Sequence, residues 1–197
     1  MTTFVALLRA VNVSGQNKIP MAELRHALGD LGLTGVETYL QSGNAVFDTA
    51  GDDPAEHAAA VHDLIARDFG HDVRVLVLAA DEMQRVSAEM PFVGAAEFDD
   101  GWMHATFLER PVEEAAFGAL SLPAQGDERA ALATGGAPLA GRLIYLYLPH
   151  GYGRTKLNNA YFERALGTPA TTRNWRTVLA LAEMSARGSS SRRWRTA

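Results

Sequence analysis

The run "VNVSGQNKIP" at residues 11–20 brings together Asn12, Ser14, Gln16, Asn17 and Lys18. Amides, a hydroxyl and a cation are the groups that orient and neutralise an oxyanion. The run holds no carboxylate, so it suits binding and charge stabilisation better than acid–base work. The same inventory recurs in "LQSGNA", with Gln41, Ser42 and Asn44. It recurs again in "PHGYGRTKLNN", residues 149–159, which carries Arg154 and Lys156, and in "TPATTRNWRTVLALAEM", which carries Arg173, Asn174 and Arg176. None is a known phosphate-binding fingerprint. Residues 151–156 lack the P-loop spacing, and Lys156 stands where a dinucleotide motif needs its third glycine.

The cations share a second property. Lys18 precedes one expected helix start, Arg154 and Lys156 flank another, and Arg173 and Arg176 fall in the first turn of a third, for which Thr171 or Thr172 is the expected cap. A helix N-terminus is positive, so a cation there is unfavourable by roughly 0.3–1 kcal/mol. Cations beside free backbone N–H groups suit a bound oxyanion. The alternative is that these arginines pair with the acidic middle of the chain. The helix expected in "DDPAEHAAAVHDLIARDFG" obeys the usual rule, with Asp52, Asp53 and Glu56 at its start.

Conventional catalytic sets are missing. His26, His57, His62, His71, His104 and His150 show no metal-binding spacing. The chain has no cysteine, which excludes disulfides, thiolate zinc sites and cysteine nucleophiles. Ser14 and Lys18 support a Ser-Lys pair only by proximity. Charge is uneven: residues 1–47 balance, residues 48–131 carry −13 and residues 132–197 carry +8, within a net −5. That field points to an anionic partner for the basic part. Four of its ten cations lie in the Ser- and Arg-rich end "RGSSSRRWRTA", expected to be a flexible tail over 188–197.

The elements that must position these residues follow from periodicity. "FVALLRAV" reads as a buried strand. "IPMAELRHALGDLG" reads as a helix entered at Pro20, with Met21, Leu24, Leu28 and Leu31 as its stripe and Gly32 to close it. "VETYLQSGNAVFD" reads as two strands joined at Ser42-Gly43. "DDPAEHAAAVHDLIARDFG" reads as a second helix and "DVRVLVLAA" as a strand. The class is α+β: a ferredoxin-like βαββαβ unit over residues 1–80, then a less regular α+β unit over 81–187. Right-handed crossover makes the first two strands parallel, so the 12–18 loop and the 41–44 turn are expected at one end of one sheet. They would lie about 10 Å apart at roughly 4.8 Å per strand.

"FVALLRAVNVSGQNKIPMAEL", "TYLQSGNAVF", "GYGRTKL" and "ATTRNWRTVLAL" resemble, in order, the hallmark segments of the domain-of-unknown-function 1697 family. The resemblance spans roughly residues 4–185. It implies a small α+β protein with ferredoxin-like topology and no established activity, substrate or catalytic residue. Together these readings predict a cytoplasmic protein without a metal or cofactor. It binds an anionic, phosphate-containing small molecule through Asn12, Lys18, Gln41, Ser42, Asn44, Arg154, Lys156, Arg173 and Asn174. Two alternatives stand beside it: nucleic-acid binding by the basic C-terminal part, and a non-catalytic interaction module. With 8% aromatic residues, the chain has little to stack bases on. No membrane span is expected.

Overall fold

The computed structural model describes residues 1–13, 15–92, 99–137 and 139–187. Its first half runs β1 (Thr2–Leu8), α1 (Met21–Asp30), β2 (Thr34–Thr38), β3 (Asn44–Thr49), α2 (Pro54–Phe69), β4 (Val75–Ala79) and α3 (Ala80–Ala88). The four strands form one antiparallel sheet in the order β2-β3-β1-β4. Local chemistry sets the boundaries. Asp53 caps α2 by accepting from the Ala55 N–H at 2.7 Å, Pro54 occupies the first position, and Gly70 ends the helix at φ 69°. In α1, Met21, Leu24 and Leu28 are buried while Leu31 packs at the margin of the same core. That core lies between one sheet face (Phe4, Ala6, Leu8, Ala45, Phe47) and the apolar stripes of α1 and α2.

The second half runs β5 (Met103–Leu108), α4 (Glu114–Gly118), β6 (Arg129–Leu132), β7 (Leu143–Tyr147), α5 (Asn159–Leu166), β8 (Ala170–Asn174) and α6 (Trp175–Ala186). Its sheet is also antiparallel, in the order β6-β7-β5-β8. Matched strand for strand, this is the order of the first sheet. Each half is a βαββαβ unit followed by one more helix, so the α+β chain is a topological duplication. The sequence conceals it because α4 has only five residues and β6 only four.

The chain divides into two compact units, Met1–Gln84 with Ala180–Ala197, and Arg85–Leu179. The division falls inside α3 and inside α6. No helix among the described residues is long and apolar enough to cross a membrane.

One element departs from expectation. Residues 170–174 form β8, whereas the sequence suggested a helix from 173 with Thr171 or Thr172 as cap. The β-branched pair Thr171-Thr172 favours the extended chain, and β8 pairs with β5 from Leu108↔Ala170 to His104↔Asn174. The cap of α6 is Asn174, whose Oδ1 accepts the Arg176 N–H at 3.0 Å.

Candidate functional site

The 12–18 loop and the 41–44 turn meet at one end of the first sheet, where Leu7 of β1 pairs with Asn44 of β3. Asn12 joins them. Its Nδ2 donates to the Gln41 carbonyl at 2.8 Å and to the Ile19 carbonyl at 2.9 Å, and its Oδ1 accepts from the Ile19 N–H at 2.9 Å. Asn44 is fully buried, and its Nδ2 donates to the Tyr39 carbonyl at 2.9 Å and to Ser42 Oγ at 3.0 Å. The Leu8 N–H reaches the Gly43 carbonyl at 2.8 Å. Much of the polar run therefore builds the loops. Asn12, Ser42 and Asn44 spend hydrogen bonds on the protein itself, while Lys18 and Gln41 are exposed. Ser14 lies outside the described residues.

The same two loops and their approaches hold most of the backbone strain. Of five non-glycine residues with positive φ among those described, Asn12 and Asn17 lie in the first loop and Ala10 and Leu40 just ahead of the two loops, at φ 44° to 55°. Each costs roughly 1–2 kcal/mol for an ordinary residue, less for asparagine. Gly43, at φ 74°, has no room for a side chain: a Cβ there would stand 2.8 Å from that of Leu8.

In the second unit, the loop at 148–158 leaves β7 at the sheet end where β5 begins and β8 finishes. Thr155 and Leu157 point inward and are buried, and Thr155 Oγ1 accepts the Leu157 N–H at 3.0 Å. The alternation leaves Arg154 and Lys156 exposed. Neither side chain makes a hydrogen bond or ion pair with another described residue. Both lie ahead of α5, whose cap is Asn158, so they are loop cations and not residues of the first helical turn. Arg173 also departs from its expected place. It is a buried residue of β8, and its Nη1 donates to Thr171 Oγ1 at 2.8 Å and to the Thr172 carbonyl at 3.0 Å. Burial lowers its guanidinium to about 10, opposed by the nearby Tyr152. Arg176 pairs with Asp99 at 3.3 Å, as the acidic-segment alternative expects. Asn174, besides capping α6, donates to the Gly101 carbonyl at 3.3 Å.

Beneath the 148–158 loop, one sheet face carries four polar residues: His104 and Thr106 on β5, opposite Asn174 and Thr172 on β8. Thr106 and Thr172 share a hydrogen bond of 2.8 Å, Thr172 Oγ1 donates to Asn159 Oδ1 at 2.6 Å, and the Asn159 N–H reaches the Tyr152 hydroxyl at 3.2 Å. Tyr152 stacks on His104 with ring centroids 5.3 Å apart and planes 26° apart. His104 is 6% exposed, and its Nδ1 has no hydrogen-bond partner. Burial lowers its pKa, opposed by a hydrogen bond at the Trp102 backbone. Sequence reasoning passed over His104 as a lone histidine. The signal was the polar alternation His104-Ala105-Thr106 inside a buried strand.

The nine residues singled out from the sequence thus fall into two groups. Asn12, Lys18, Gln41, Ser42 and Asn44 lie at one end of the first sheet. Arg154, Lys156, Arg173 and Asn174 lie at one end of the second. Under the duplication these ends are not equivalent: the first group sits where β1 finishes, the second where β5 begins. Among the described residues, no group of three or more His, Asp or Glu side chains can hold a metal ion.

A family model described as "Protein of unknown function (DUF1697)" matches residues 1–136. The match runs through β6 and stops before "GYGRTKL" and "ATTRNWRTVLAL". A solved structure, of a conserved bacterial protein from Streptococcus pneumoniae, is similar with a TM-score of 0.69 and 23% identity, over 93% of this chain and 98% of that one. The likeness shows the fold. No curated protein matches the chain.

Proposed function

This chain belongs to the DUF1697 family, and from that premise we propose that it binds a small anionic ligand, phosphate-containing, at the 148–158 loop of its second unit. The observation that carries the reading is the pair Arg154 and Lys156: two exposed cations, two residues apart, on either side of the buried Thr155. The chain turns at Arg154 and bends at Lys156, and with Thr155 buried between them both cations face solvent. A phosphate bridging them gains charge-assisted hydrogen bonds and costs them no internal ion pair. The buried cations and amides play another part: Arg173, Asn174, Asn12 and Asn44 hold the framework. Lys18 and Gln41 are exposed in the first unit and are not needed for this site.

Nucleic-acid binding fits less well. Base stacking needs exposed rings, and the exposed large apolar side chains among the described residues are Met1, Val13, Leu40 and Leu179, none aromatic. Trp175 is 2% exposed. We also assign the first unit to the ferredoxin-like topology, supported by its strand order β2-β3-β1-β4.

The test is thermal stability with added inorganic phosphate and pyrophosphate. A ligand at 100 times its dissociation constant stabilises the folded protein by about 2.7 kcal/mol. The wild type should shift, and the double variant Arg154→Gln, Lys156→Gln should not. Equal shifts in both proteins would move the site elsewhere.

A further inference from the structure

Among the described residues, four large apolar side chains are left exposed, and two of them come together at one end of the first sheet. Val13, in the 12–18 loop, is 54% exposed, and Leu40, just ahead of the 41–44 turn, is 58% exposed. Each is one residue away from the bond between Asn12 Nδ2 and the Gln41 carbonyl, which ties the two segments to each other. Exposed aliphatic residues are ordinary when scattered; gathered on tied segments they mark a contact surface. The backbone there is held in a costly shape. Leu40 has φ 55°, and Asn12 and Asn17 on the neighbouring loop are left-handed as well. Such strain persists only where the surrounding structure imposes it, and here the residue it leaves in solvent is a leucine.

Charge selects what covers the surface. A third segment, residues 70–74, reaches the same end: the Arg9 N–H donates to the Arg74 carbonyl at 2.9 Å, and His71 Nε2 lies 3.3 Å from the Lys18 carbonyl. Residues 9–20, 39–43 and 70–74 hold three cations, Arg9, Lys18 and Arg74, against one carboxylate, Asp72, in a chain of net charge −5. Lys18 and Arg74 are exposed, and Tyr39, next to Leu40, is partly so. Aliphatic side chains, a ring with one polar end and a rim of cations are the groups that settle at an anionic lipid–water interface. We propose that this end of the first unit docks on the surface of an anionic bilayer, with Val13 and Leu40 entering among the headgroups and Lys18 and Arg74 facing the lipid charges. A second copy of the chain fits less well, because two such ends would set cations against cations. The surface is separate from the 148–158 loop and does not depend on the anion-binding reading.

The probes are phosphatidylcholine vesicles with and without phosphatidylserine, floated with the full chain. The wild type should float with the phosphatidylserine vesicles, and less so as salt is raised. Val13→Ser and Leu40→Ser should each weaken binding about tenfold, the worth of one apolar side chain taken out of water. Lys18→Gln should weaken it about fivefold. All three side chains are exposed, so melting temperatures should match the wild type. Hydrogen exchange needs no variant: amides around Val13 and Leu40 should slow with phosphatidylserine vesicles, while those of 148–158 keep their rates. A folded wild type that floats with neither vesicle would overturn the proposal and leave an acidic protein as the occupant of the surface. Serine variants that bind as tightly as the wild type, or protection confined to other segments, would overturn it as well.

Discussion

The side chain of Asn12 lies against the main chain of Gln41, Nδ2 to carbonyl oxygen at 2.8 Å, across 29 residues of sequence. Together with its two bonds to Ile19, it makes the carboxamide serve as a peptide group between two loops. Replacement by alanine removes three hydrogen bonds and leaves a non-glycine residue at φ 55°. Asn12→Ala should lower stability by about 2–4 kcal/mol, at about 1 kcal/mol per bond plus the backbone strain. Urea denaturation reads it. Asn12→Gly, which removes the strain alone, should recover only part of the loss. A change below about 0.5 kcal/mol, the range of an ordinary surface substitution, would show that the bracket carries no weight.

Arg154→Gln and Lys156→Gln should each leave the melting temperature of the free protein unchanged. Both side chains are exposed and tied to no described neighbour, so stability should move by no more than about 0.5 kcal/mol. The shift with pyrophosphate should fall in each. Early melting with an intact shift would mean that these cations hold the fold.

Arg173→Gln should behave in the opposite way. The residue is buried and its guanidinium bonds Thr171 and Thr172. Losing hydrogen bonds made by a charged group costs about 1.5–3 kcal/mol each. Calorimetric melting should drop by many degrees, with or without phosphate. A stable variant that merely binds less tightly would return Arg173 to the ligand set.

His104 should make stability depend on pH. Its folded pKa lies below the ordinary 6.5, so in acid the unfolded chain binds more protons than the folded one. Stability then rises with pH through that window and is lost as pH falls below about 6.5. His104→Phe should flatten the curve, so that wild type and variant converge or cross as pH is lowered from 7 to 5. Denaturation at stepped pH checks the slope. Parallel curves would show that the histidine does not titrate differently on folding.

Asn174→Ala should remove the cap of α6 and cost about 1 kcal/mol. Thr172→Ala should act differently, breaking the bonds to Thr106 and Asn159. Hydrogen exchange at the start of α6 separates the two: only the first variant should speed it.

The first unit was legible because its punctuation is strong. Pro20, the Asp53-Pro54 pair and Gly70 mark helix ends by backbone chemistry that tertiary packing seldom overrides. Topology alone then brought residues 12 and 41 together. Their role was not legible, because a carboxamide binds a peptide as readily as a ligand and only distances separate the two. In the second half, Thr171-Thr172 satisfies both a cap and a strand, and pairing with β5 decided between them. The helix-dipole argument holds only in part: Arg176 lies in the first turn of α6 and Lys18 ahead of α1, but Arg173 is in a strand, and Arg154 and Lys156 stand before the Asn158 cap.

The division of the chain bears on how it is made. The first compact unit takes in Met1–Gln84 and then resumes at Ala180. A ribosome delivers β1 through β4 early and the closing turns of α6 last, after the whole second unit. The earlier sheet therefore waits for a partner segment encoded almost a hundred codons downstream, at elongation rates of about 5–20 residues per second. Chains stalled before codon 180 should remain protease-sensitive in their first unit, and release of the full chain should protect it.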